Sequence, residues 1–158
     1  KNNGLSTFLT YNEGLCSGMM TYENLAASLV SENKVKCHPS SVDSLPTCAD
    51  KEDHVSMGGY SARKAVSITE NVAKVFAVEL MSAAKGIEMR KRIDPHFHIA
   101  KPIQNLYEIV NEMSPPFGNT DRYCKPEYDT ILEYIESGKL WEDVYGNMSE
   151  EFSVNTKI

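Results

Sequence analysis

The sequence predicts an all-α fold, a bundle organised around one long helix. Three observations carry this reading. Apolar residues recur at three- and four-residue spacing through most of the chain, which is the period of a helix face. No stretch alternates apolar and polar residues as a half-buried strand would. One segment stays helical in pattern for more than thirty residues and is apolar nearly all round between Val72 and Ala84, which implies burial among several helices.

The elements follow in order. Residues 5–15 read as irregular, punctuated by Gly4 and Gly14. A helical pattern begins at Ser17, with Met19, Tyr22, Ala26, Leu29, Val30 and Asn33 on one face. Ser17 is placed as its N-cap, because a serine oxygen accepts an orphan N–H of the first turn, and Gly18 then weakens only that turn. Residues 34–53 break the period with Pro39, Pro46 and clusters of Ser, Asp and Thr. A connection of this length is uncommon and often functional, so the chemistry is placed here.

The long helix is expected over about 54–90, roughly 50 Å at 1.5 Å per residue. Its expected buried stripe is Ala62, Ala65, Thr69, Val72, Phe76, Leu80, Ala83 and Ile87. Gly58 and Gly59 mark a close approach or a bend near its start. Residues 92–101 read as a loop. Pro102 suits a first helical position, with Ile103, Leu106, Tyr107 and Val110 behind it. Pro115, Pro116 and Gly118 end that helix, and Pro126 opens another with Tyr128, Ile131, Leu132 and Ile135 inward, ending near Gly138. Residues 140–144 add a short turn. The organisation is therefore one helical region over 1–147 and a polar tail over 148–158.

Composition excludes several functions. A chain of 158 residues with a net charge of −6 is a poor nucleic-acid binder, since phosphate binding needs clustered Lys and Arg. Arg90, Lys91 and Arg92 are better placed at a helix C-terminus, where cations suit the dipole. No apolar run approaches the roughly 20 residues that span a bilayer, and no secretory signal is visible. The first residue is Lys1, so the gene product is expected to start further upstream. Cys16, Cys37, Cys48 and Cys124 are read as free thiols in a reducing cytosol.

Chemistry-bearing residues cluster at Lys51-Glu52-Asp53-His54. Two carboxylates beside an imidazole at a loop-to-helix junction can bind a cationic substrate or move a proton. The same pattern also serves as a cap, with Asp53 at the N-cap and Glu52 a solvated charge. The residues alone leave both readings open. Cys37, His38, Cys48 and His54 fit no zinc spacing, and His96-Phe97-His98 is similarly weak, so no metal is expected.

Longer stretches add specificity. Ser31-Glu32-Asn33-Lys34, His38-Pro39-Ser40-Ser41-Val42-Asp43-Ser44-Leu45-Pro46-Thr47 and Glu52-Asp53-His54-Val55-Ser56-Met57-Gly58 resemble the histidine ammonia-lyase family. So do Ala62-Arg63-Lys64-Ala65, Glu70-Asn71-Val72, Gly86-Ile87-Glu88 and Asp121-Arg122-Tyr123 with Pro126-Glu127. The resemblance runs from about Leu5 to about Val144.

The resemblance implies the C-terminal portion of an aromatic amino acid lyase-type fold. It also implies a homotetramer with active sites built from more than one subunit, acting on L-histidine to give urocanate, and the free thiols place it in the cytoplasm. The family's electrophile, the methylidene-imidazolone group MIO, forms from an Ala-Ser-Gly tripeptide, and the resemblance puts that tripeptide N-terminal of this chain. Gly14-Leu15-Cys16-Ser17-Gly18 instead resembles the family's Gly-Leu-Asn-Ser-Gly pocket segment, with Cys16 replacing Asn and Lys51 standing where many relatives carry Gln. By the same resemblance Glu52 is the active-site glutamate and a substrate contact, Met20 is a pocket methionine, and Asp53 and His54 orient the loop. Tyrosine or phenylalanine lyases, aminomutases of the family, and a catalytically silent helical assembly module are the alternatives.

Overall fold

A computed structural model describes residues 4–42, 45–56, 58–116 and 118–146, with side chains described to Val144. The polar tail from 148 and the motif residues Asp43, Ser44 and Met57 lie outside the described residues. Among the described residues five helices form: α1 Met20–Lys36, α2 Gly58–Ile93, α3 Lys101–Met113, α4 Lys125–Glu136 and the short α5 Lys139–Trp141, which runs into a π-helical turn over Glu142–Gly146. A 3₁₀ turn at Ser40–Val42 interrupts the loop between α1 and α2. No strand occurs among the described residues, whose only bridges are Glu13 with Cys16 and Thr47 with Glu52.

The 36 residues of α2 make it roughly 54 Å long. Along it α1 runs antiparallel, since Lys36 bonds Ser67 and Asn33 meets Asn71. Tyr22, Ala26 and Leu29 turn toward the interface as the spacing predicts, whereas Val30 is exposed. Helix α4 packs along the middle of α2, with Tyr128 donating to the Lys74 carbonyl and Ile135 sharing a groove with Val72 and Phe76, and α3 packs against the same helix. The core joins Met19, Ala77, Val78, Met81, Val110, Tyr128 and Ile131. In α3, Val110 is buried and Ile103 is exposed, so the expected stripe holds only toward the helix C-terminus. Pro102 and Pro126 each stand second in their helices, one place later than read. Gly138 takes a left-handed φ of +79° after α4 and turns the chain into α5.

Two expectations are corrected. The face of α2 buried in this chain is Ala77, Met81, Ala84 and Glu88, each one residue beyond the expected Phe76, Leu80, Ala83 and Ile87. That is a rotation of about 100°. The girth between Val72 and Ala84 is apolar on several sides, so periodicity alone cannot say which side meets the rest of the same chain. Val66, Val72 and Phe76 remain exposed on the other side.

The second correction concerns the start of α1. Helix α1 starts at Met20, its N-cap position is Met19, and no side chain caps it there. Ser17 lies before the helix, and its N–H is spent on Asp121 (2.7 Å). Gly18 has a φ of +54° and sits so close to Phe8 that an added Cβ would lie 2.3 Å from the Phe8 carbonyl oxygen. Glycine is therefore required there by both conformation and space. Gly18→Ala should cost on the order of 2–4 kcal/mol, combining left-handed strain with overpacking. Denaturant midpoints check this, and an unchanged midpoint would count against the close approach.

Candidate active site

The loop between α1 and α2 is tied to α2 where it leaves α1. The Lys64 ammonium donates to the His38 carbonyl and to Ser40 Oγ at 3.4 Å. Lys36 reaches Glu32 at 2.6 Å and also bonds Ser67. Asn71, buried in the helix pair, donates to Glu32 and Asn33 at 3.0 Å each. The Glu32 carboxyl is accordingly held below its usual range, first by its bond to Lys36 and then by Asn71.

Glu52 sits on a closed turn within this loop. Its backbone pairs with Thr47 in both directions, at 2.8 Å and 3.3 Å. Between them Cys48, Ala49 and Asp50 adopt left-handed φ angles of 53°, 56° and 63°. Three consecutive non-glycine residues in that region are strained, and such strain concentrates at functional sites. The Glu52 side chain is exposed, with Oε2 3.5 Å from Thr47 Oγ1. The turn thus fixes the backbone and presents the carboxylate outward.

Asp53 does not cap α2, because the helix begins five residues later at Gly58. Asp53 as N-cap therefore falls, while Glu52 is exposed as that reading had it. His54 lines an open cavity of about 460 Å³ with Ser40, Ser41, Val55, Ser56 and Ser61. Met20, half-buried, opens α1, while the loop carrying Glu52 leaves the other end of that helix. The 17 residues of α1 separate these ends by roughly 25 Å. His54 and Glu52 thus share one loop, and Met20 stands at the far end of the helix pair.

Two arrangements escaped the sequence reading. The first is a charged cluster inside the bundle. Lys85 and Glu88, 4% and 7% exposed, pair at 3.0 Å. Glu88 also accepts from Arg92 at 2.8 Å and from the Tyr11 hydroxyl at 3.1 Å. Lys85 and Arg92 each lie 4.5 Å from the Tyr11 ring centre. Burial pulls Lys85 below the usual lysine range against the opposing pull of Glu88. Burial first, and Glu88 next, push Tyr11 up to about 12. Two opposite charges three apart inside an apolar stretch were the available signal, since such residues are rarely buried unless paired.

The second arrangement braces residues 12–18. Asp121 accepts the N–H groups of Ser17 and Gly18 at 2.7 Å and 3.0 Å. The Asn119 carbonyl accepts from Asn12 Nδ2 and, at 3.7 Å, from Cys16 Sγ. The sequence offered no signal, because these pairs are more than a hundred residues apart.

Cys16-Ser17-Gly18 also bears on the family's internal cofactor. Cyclisation of such a tripeptide requires the glycine nitrogen as nucleophile. Here that N–H is engaged by Asp121, and cysteine replaces the alanine. With Cys16 in place of the alanine, the tripeptide does not match the one that forms the group. Among the described residues, no three His, Cys, Asp or Glu side chains stand together as a metal site. No helix there is long and apolar enough to cross a membrane.

Residues 1–112 match the profile of the family described as aromatic amino acid lyase. Histidine ammonia-lyase of Caenorhabditis elegans is 54% identical over 141 residues, covering 89% of this chain and 20% of that protein. The crystal structure of histidine ammonia-lyase from Trypanosoma cruzi superposes with a TM-score of 0.80 at 42% identity, covering 90% of this chain and 27% of that one. Tyrosine aminomutase from Streptomyces globisporus gives 0.79 at 31% identity, covering 90% and 26%. The chain thus spans about a fifth to a quarter of the length of these relatives. Its sequence and its helical architecture agree, and it belongs to the aromatic amino acid lyase family.

Proposed function

We propose that this chain is the C-terminal part of a histidine ammonia-lyase, which eliminates ammonia from L-histidine to give urocanate. The observation that carries the reading is the Glu52 turn: a carboxylate held outward on a strained backbone with two hydrogen bonds to Thr47, within a stretch that resembles the histidine ammonia-lyase family. The reaction breaks the Cα–N bond and removes a β-proton. Glu52 accepts a hydrogen bond from the substrate imidazole, charge-assisted when the ring is protonated. Met20 packs against the substrate side chain, while Asp53 and His54 orient the loop. In this family MIO supplies the electrophile that takes up the substrate amine, and the resemblance places it outside this chain. The chain alone is expected to be inactive.

The separation of Met20 from Glu52 supports an active site shared between subunits. If both face substrate, they come from different copies. The exposed face of α2 supports this too. Val66, Val72 and Phe76 line an apolar groove with Ile135, and antiparallel helices of other copies would cover it in a homotetramer. Cys16, Cys37 and Cys48 are unburied free thiols, which suits the cytoplasm. The higher identity to histidine ammonia-lyase than to tyrosine aminomutase favours histidine.

The full-length protein carrying this sequence should release urocanate and ammonia from L-histidine and scatter light as a tetramer. Turnover of tyrosine but not histidine would select an aminomutase or lyase of that specificity. A folded tetramer inert toward aromatic amino acids would select the assembly module. A monomer at micromolar concentration would remove the shared site.

A further inference from the structure

The brace between the loop after α3 and the segment before α1 has a role that no active-site motif in this sequence assigns. Asp121 is itself held in place. Its neighbour Arg122 donates to the Pro115 carbonyl at 2.8 Å and pairs with Glu127 on α4. From this anchored position the Asp121 carboxylate receives two successive backbone N–H groups, Ser17 and Gly18. Successive N–H groups converging on one anion form a nest, which fixes the local chain path. The opposite side is fixed as well, because the Met19 N–H donates to the Phe8 carbonyl at 2.8 Å. Residues 16–20 are therefore clamped between two fixed points, with left-handed Gly18 as the pivot.

We propose that Asp121 is a positioning residue for the reaction: by accepting the Ser17 and Gly18 N–H groups it sets the path of residues 16–20, and through them where Met20 meets the substrate side chain. This rests on the reading of the chain as part of a histidine ammonia-lyase. Asp121 touches no reacting atom and acts through the backbone it holds. Loss of the carboxylate frees two N–H groups and lets the pocket wall shift. A misplaced wall weakens binding of the side chain before it alters the chemical step.

The test uses the full-length protein as Asp121→Ala and Asp121→Asn, with Asp129→Ala on exposed α4 as the control for a lost charge. Hydrogen exchange is read at Ser17 and Gly18, and steady-state kinetics on L-histidine beside it. Asp121→Ala should speed exchange at those amides by about tenfold or more while α2 stays protected. KM for histidine should rise by about tenfold, with kcat within about threefold. Asp121→Asn retains one acceptor and should fall between, and Asp129→Ala should match the parent. Unchanged exchange would show that no clasp exists. Faster exchange with unchanged kinetics, or loss of α2 protection with kcat and KM both degraded, would reduce Asp121 to a purely structural role and overturn the proposal. An unmodified protein inactive on histidine would instead bring down the functional reading, and the positioning role with it.

Discussion

Glu52→Ala in the full-length protein should lower turnover of L-histidine by about a hundredfold or more, while leaving the helical fold intact. The expectation follows from where the residue stands. Its backbone is fixed by paired bonds to Thr47 and by the left-handed run Cys48 to Asp50, and its side chain adds only one exposed contact, with Thr47 Oγ1. An interaction made mainly in the transition state is lost from kcat rather than KM when it is removed. A hundredfold loss corresponds to about 2.7 kcal/mol of barrier, within reach of one charge-assisted contact in a closed site. Glu52→Gln should be milder for tyrosine or phenylalanine than for histidine, because those rings offer no imidazole to pair. Steady-state kinetics with circular dichroism decide the matter. A well-folded Glu52→Ala protein with near-normal turnover on histidine would remove Glu52 from the site.

Glu88→Ala should be the most destabilising of the charge deletions considered for this chain, by about 3–5 kcal/mol. Glu88 neutralises Lys85 where almost no water reaches, and it also receives Arg92 and the Tyr11 hydroxyl. Deleting it takes the balancing carboxylate from a buried ammonium, whereas replacing both members of the pair by apolar groups of similar volume removes that imbalance. The double substitution Lys85→Met with Glu88→Leu should therefore recover most of the loss, a coupling that a double-mutant cycle in denaturant would measure. If Glu88→Ala stays within about 0.5 kcal/mol of the parent, the cluster carries no stabilising role. Tyr11 adds a pH signature. Its folded pKa is raised from 10.0 to about 12, so its share of stability is complete below pH 10 and is lost as pH rises toward 12. Tyr22, pushed up to about 12 chiefly by burial, acts in the same direction.

Much of the fold was legible in advance. The period of apolar residues placed all the main helices, and the prolines at 102 and 126 placed two starts within one residue. These features depend on neighbours three or four residues away, which the sequence displays directly. The loop bearing Glu52 was legible for the same reason, because prolines and small polar residues forbid a helix there. Its left-handed turn was not, since Cys48 and Ala49 have no intrinsic preference for that conformation, only Asp50 tolerates it well, and all three adopt it between the two paired ends of the turn.

The amino-acid sequence by itself determined the all-α class, the order and approximate ends of the helices, and the chemical character of the loop at Glu52. Only the tertiary structure decided which side of α2 faces its own chain, because an apolar girth offers several equivalent faces and packing chooses among them. Only it showed that Ser17 lies before α1 and gives its N–H to Asp121, that Lys85 and Glu88 are buried together under Tyr11, and that Met20 opens α1 while Glu52 sits on a closed turn in the loop that leaves its other end. Each of these depends on how loops return distant segments to one another. Local periodicity carries no information about that return, since closing a long loop depends on the contacts that reward it and not on the residues within it.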